Sequence, residues 1–177
     1  MPFWRCILES ASCVRYSVFD ARKAMETVGK GKRMRRIKLI VAYDGTNYCG
    51  WQVQPNGLSV QEVLNRALSD LFGVPVTTIG ASRTDAGVHA LGNVAVFDTE
   101  ARMPAERVAF ALNTRLPEDI RIQGSEEVPP EFHPRFTQTI KTYEYRILNR
   151  TFADPCRRLN STFWYGKLDT DAMQKAP

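Results

Sequence analysis

Histidine is scarce in this 177-residue chain, which has only His89 and His133, and its four cysteines, Cys6, Cys13, Cys49 and Cys156, form no C-x-x-C pair. Two distant imidazoles and scattered thiols are too few and too dispersed for a zinc site, and such spacing suggests no disulfide framework. The expectation is a cytoplasmic protein of a reducing compartment that binds no metal. No apolar run approaches the length that crosses a membrane. Surplus positive charge is also missing where it would be most informative. Residues 1–36 hold nine Lys and Arg against three Asp and Glu, whereas the remainder holds fifteen against sixteen. The formal net charge of +5 therefore resides in the tail, and by itself it is weak support for nucleic-acid binding by the body.

What is present is an ordinary globular composition, 44% hydrophobic and 24% charged, in a chain long enough to bury a sizeable core. Residues 1–33 lack sustained periodicity and end in GKGKR, which reads as a basic, disordered N-terminal extension adding salt-sensitive, nonspecific affinity. Glu9, Asp20 and Glu26 speak against an organellar presequence. Met34 stands immediately before the first strand pattern, which suggests a misplaced start or an upstream extension.

From Met34 the patterning is regular. IKLIVAY (37–43) reads as a strand closed by Asp44-Gly45. In SVQEVLNRALSDLFG (59–73), apolar residues recur at steps of three and four, which predicts a helix with a Ser59/Glu62 capping box and a stop at Gly73. VPVTTIGA (74–81) and GNVAVFDT (92–99) read as strands. A second helix runs from Pro104 to about Leu116, where Pro117 stops it, and a short strand follows near 119–123. The order β-α-β-β-α-β predicts an α+β fold of the split βαβ, RNP- or ferredoxin-like kind: an antiparallel sheet with helices on one face. KTYEYRILN (141–149) alternates polar and apolar residues and is expected to form a long strand, a candidate for the same sheet. DTDAMQKAP reads as the opening of a helix. The domain division expected is 1–33 extension, 34–150 RNP-like catalytic subdomain, and 151–177 start of a truncated second subdomain.

The stretch that carries chemistry is ASRTDAGVHALGNVAVF (81–97). If it is extended, Arg83 and Asp85 point to the same face, placing a guanidinium beside a carboxylate. A plain turn with a solvated surface pair is an even-odds alternative on these residues alone. The wider pattern decides. YDGTNYCGWQVQPNGLSVQEVL, SRTDAGVHALGNVAVF, FHPRF and KTYEYRI, in this order and at these spacings, resemble the TruA family of tRNA pseudouridine synthases from Met34 onward.

That resemblance implies the first half of a pseudouridine synthase fold, working as a homodimer on the anticodon stem-loop of tRNA, with no cofactor and no metal. It places the catalytic aspartate at Asp85. The carboxylate could attack the ribose, attack the uracil ring, or remove a sugar proton, and the sequence leaves these open. Arg83 beside it would favour the ionised form. A paired uridine must leave its stack to reach Asp85, at about a few kcal/mol. Tyr143, the family's active-site tyrosine by position, could stack on the extruded base or help move its C5 proton. On the residues alone, packing is the more common role of an alternating strand tyrosine. Thr84 would support the loop, His89 would hydrogen-bond or face RNA, and Arg135 is a candidate phosphate contact. By the resemblance, the Tyr43-Asp44-Gly45 turn and Trp51-Gln52 could line the cleft, although core is the more common role of a tryptophan such as Trp51. A noncatalytic RNA-binding α+β module, or an inactive fragment of such an enzyme, is the alternative. A glycosidase ranks last, because no second acid accompanies Asp85. The 177 residues are expected to be inactive alone.

Overall fold

The computed structural model describes residues 33–137 and 141–175; all of the expected N-terminal extension except Arg33 lies outside them. Strand β1 (Arg35–Tyr43) is central. Its odd residues Ile37, Leu39, Val41 and Tyr43 are buried, the period of two expected when one sheet face is covered. Helix α1 (Val60–Phe72) and helix α2 (Ala105–Asn113) cover that face. Val60, Leu64 and Leu68 from α1, and Val108 and Leu112 from α2, join the β1 residues in one hydrophobic cluster.

Strand β2 (Ile79–Gly80), β3 (Ala90–Thr99) and β4 (Ile120–Val128) complete the sheet in the order β2-β3-β1-β4. All three pairings are antiparallel. The architecture is α+β. Strand β1 pairs Ile37 with Phe97 and Leu39 with Ala95 on the core face. A bulge between Ile40 and Val41 re-aims its pairing with β4.

Helix α1 begins as expected, with the Ser59 hydroxyl accepting from the Glu62 amide at 3.2 Å. Only half of the box forms, because the Glu62 carboxylate pairs with Arg66 instead. The helix ends at Gly73, whose amide donates to Ser69 O. Ser59 is fully buried, and Ser59→Ala removes the side-chain acceptor of the Glu62 amide. The expected cost is about 0.5–2 kcal/mol, read in a thermal melt as a midpoint lower by about 2–6 °C.

Three expectations are corrected. The 74–81 strand contracts to two residues because its amides are taken from the side: Val76 N donates to Ser69 Oγ and Thr78 N to Asn65 Oδ1. Helix α2 stops at Asn113 rather than Leu116, since the Asn113 side chain turns to bond both the amide and the carbonyl of Ile122 in β4. The long strand at 141–149 reduces to β5 (Ile147–Asn149). It pairs not with the main sheet but in parallel with β6 (Thr162–Trp164). Alternation assigns faces but supplies no partner; Tyr143 and Tyr145 are 69% and 88% exposed, and no strand pairs with them among the described residues. A six-residue helix, α3 (Thr170–Lys175), follows.

Candidate active site

The loop that carries Asp85 joins β2 to β3, and a second loop, at residues 44–51, holds it in place. The Trp51 amide donates to Thr84 O at 3.1 Å, and the Gly87 amide donates to Tyr48 O at 3.3 Å. Thr84 Oγ1 lies 2.8 Å from the Tyr43 hydroxyl, which ties this side chain to the end of β1. Two glycines make the approach possible. Gly50 has φ 87, and a Cβ there would fall inside van der Waals contact with Thr84 O. Gly45 lies against Val88 O in the same manner. A side chain at either position would push the two loops apart.

The supporting loop is itself anchored in the core. Trp51 is 1% exposed, as read from the sequence, and packs on Tyr43 with ring centroids 5.8 Å apart. Tyr48 donates its hydroxyl to Asp119 Oδ1 at 2.7 Å. Burial pushes this phenol above its usual range, and the bond to the carboxylate adds to the shift, which keeps Tyr48 a donor. The Thr46 hydroxyl and amide hold the Asp44 carboxyl below the usual carboxylate range, with His89 adding a smaller pull. His89 closes the far end of the Asp85 loop. Its Nδ1 is 2.9 Å from Asp44 Oδ1 and 3.2 Å from the Gly45 amide, and its Nε2 is 2.8 Å from Leu159 O. A doubly protonated ring satisfies both oxygens; a ring protonated only at Nε2 serves Leu159 and accepts from Gly45. Either way both nitrogens are engaged within the protein.

Asp85 itself is exposed. Neither Asp85 nor Arg83 makes a hydrogen bond or ion pair through its side chain among the described residues. The expected guanidinium–carboxylate pair is thus absent. Residues 82–85 belong to neither β2 nor β3, so the strand geometry that would set both side chains on one face is not formed there; a turn at 86–87 follows, with Val88 N donating to Asp85 O at 3.3 Å.

Arg83 lines a groove of about 450 Å³ together with Ala81, Ser82, Arg135, Lys141 and Tyr143. The structure therefore brings three of the expected site residues together: Arg83, Arg135 and Tyr143. Asp85 is two residues away along the chain, within about 7 Å of backbone reach. Ser82 is fixed by reciprocal bonds, its amide to Asn93 Oδ1 and its carbonyl from Asn93 Nδ2, both 3.2 Å. Lys141 was not marked in the sequence; a lysine opening an alternating segment reads as solvated.

Arg135 arrives by an indirect route. Residues 129–136 leave β4 and cross the open face of the sheet toward β2. Arg36, held by Asp98 at 2.7 Å, donates to Pro130 O and Phe132 O. Lys38 pairs with Glu126 and lies 5.9 Å from the Phe132 ring centroid. The strap ends with Arg135 Nε donating to Gly80 O at 3.0 Å. The FHPRF signature is thus a device that carries a guanidinium across the sheet. Among the described residues, no group of three or more His, Cys, Asp or Glu is placed to hold a metal ion.

These features match known proteins. Residues 39–137 match the family model described as tRNA pseudouridine synthase. A protein of Geobacter sp. (strain M21) named tRNA pseudouridine synthase A is 51% identical over 143 residues, covering 81% of this chain and 58% of the relative. Proteins of the same name from Citrifermentans bemidjiense and Ruminiclostridium cellulolyticum are 52% and 48% identical over 143 residues, covering 57% and 58% of their lengths. The chain thus spans less than two thirds of these relatives. With more than half of its length inside the family model, the chain belongs to the tRNA pseudouridine synthase family.

Proposed function

We propose that this chain supplies the catalytic aspartate wall of an enzyme that converts uridine to pseudouridine in the anticodon stem-loop of tRNA. The observation that carries the reading is an exposed Asp85 on a doubly clamped loop, beside a groove with three cations and an exposed tyrosine. The reaction is an isomerisation. The N1–C1′ bond breaks, the uracil turns, a C5–C1′ bond forms, C5 loses a proton and N1 gains one. No electrons are exchanged with a second reactant, so a carboxylate and a means of holding the base suffice in principle. Asp85 acts on the ribose or the base, Tyr143 offers a stacking surface to the extruded uracil, and Arg83 and Arg135 meet the backbone. Thr84 and His89 keep the aspartate loop in place.

Strand order β2-β3-β1-β4, with both helices in one core, supports reading residues 34–150 as a split βαβ unit, the first half of the family's fold. Residues 151–177 would open the second, although β5 and β6 pair across that division. We further infer a cytoplasmic enzyme that is a homodimer when joined to the rest of the fold.

The alternative, a noncatalytic RNA-binding sheet, would present aromatics on the open face of its central strands. Here that face carries Arg36, Lys38 and Ile40 on β1 and Val94, Val96 and Asp98 on β3, and the strap already contacts its β1 cations. The test is to incubate unmodified tRNA with this chain joined to the part of the Geobacter relative that the match does not cover, then map pseudouridines by carbodiimide-induced reverse-transcription stops. New pseudouridines in the anticodon arm support the proposal. Binding of tRNA without any new pseudouridine refutes it in favour of the RNA-binding module.

A further inference from the structure

We propose that Lys141 is an RNA-binding residue, completing with Arg83 and Arg135 a site for backbone phosphates flanking the nucleotide presented to Asp85. The inference deepens the proposed function and rests on it. Lys141 lies outside the stretch matched by the family model, which ends at residue 137; its assignment comes from the groove alone.

Three cationic side chains line the groove and no acidic one does. Among the described residues, the Arg83 guanidinium and the Lys141 ammonium have no hydrogen-bond or ion-pair partner, and Arg135 uses only its Nε, on Gly80 O. On the central strand β1 each cation has an acidic partner: Arg35 pairs with Glu127, Arg36 with Asp98 and Lys38 with Glu126. Unpaired like charges around one concavity repel one another, and the arrangement is relieved by an anion carrying more than one charge.

The groove is also built to hold such an anion still. Its floor is pinned by Ser82 and Asn93, Arg83 leads into the clamped aspartate loop, and the Arg135 stem is fixed to β2 while its terminal nitrogens remain available. Lys141 lies two residues before Tyr143 on an exposed segment, so both reach the groove from one side. Phosphates beside an aromatic face describe a polynucleotide, in which the base stacks while its backbone is held by charge. Lysine suits the outermost position, because a point charge on a flexible stem follows a backbone without demanding one geometry.

The test is affinity for a labelled anticodon-arm RNA hairpin as a function of salt, measured with the 177-residue chain. Lys141→Gln is expected to weaken binding about three- to fivefold and to flatten the dependence of log K on log salt by about 0.7–0.9. Lys141→Arg restores both. Arg107→Gln, a charge loss on exposed α2, changes neither. Lys141 is exposed, so thermal midpoints should coincide and separate lost binding from lost folding. Wild-type affinity and slope in Lys141→Gln, or an equal loss in Arg107→Gln, overturns this assignment alone. A wild-type chain that binds no RNA overturns the RNA reading of the groove and this assignment with it.

Discussion

Asp85→Asn, in the chain joined to the uncovered part of the Geobacter relative, is expected to lower pseudouridine formation by about three orders of magnitude or more. Asparagine has nearly the same shape but is a poor nucleophile and no base. Because Asp85 is exposed and its side chain has no partner among the described residues, nothing in the fold depends on its charge, and the melting midpoint should not move. Affinity for tRNA should hold or tighten slightly, since one negative charge near the phosphates is gone. This combination separates chemistry from binding. A variant that retains its pseudouridine yield would remove Asp85 from the reaction; one that loses yield and tRNA affinity together would make Asp85 a binding residue instead.

The second large effect lies outside the groove. Gly50→Ala forces a side chain onto a backbone at φ 87 and against Thr84 O. Left-handed strain costs about 1–3 kcal/mol, and separating the Trp51 amide from Thr84 adds about 0.5–1.5 kcal/mol for the lost hydrogen bond. A loss of about 1.5–4.5 kcal/mol corresponds to a midpoint lower by about 4–15 °C. The functional consequence should exceed the structural one. Displacing a catalytic group by about 1 Å can cost a hundredfold in rate, and Thr84 adjoins Asp85. Calorimetry with single-turnover kinetics below the lowered midpoint reads both quantities. Turnover at the wild-type rate would mean that the 44–51 loop merely accompanies the aspartate loop and does not place it.

Much of this architecture is legible in the residues, for identifiable reasons. Helix α1 can be read because Leu64 and Leu68 repeat with the helical period and Ser59 and Gly73 mark its ends; burial and capping chemistry agree there. Strand β2 cannot, because the groups that shorten it are Asn65 and Ser69, on a different element. The 141–146 segment misleads for a related reason: alternating side chains define two faces, but a strand also needs an edge to pair with, and edges belong to the fold.

The site divides in the same way. Arg83, Asp85, Arg135 and Tyr143 stand out as residue types in a pattern. The clamp on the aspartate loop runs mostly through backbone amides and carbonyls of residues 48, 51, 84 and 87, which no side-chain pattern encodes; only Gly45 and Gly50 leave a trace of it. The missing Arg83–Asp85 pair is the converse case. The spacing allowed it in a strand, and residues 82–85 are part of none.

The most direct measurement is a structure of the protein bound to an anticodon-arm RNA. An extruded nucleotide should stand with its sugar C1′ in contact with the Asp85 carboxylate, its base on Tyr143, and its flanking phosphates at Arg83, Arg135 and Lys141. RNA seated on the α1 and α2 surface, or a groove filled by phosphates while Asp85 faces solvent with no nucleotide beside it, would contradict this.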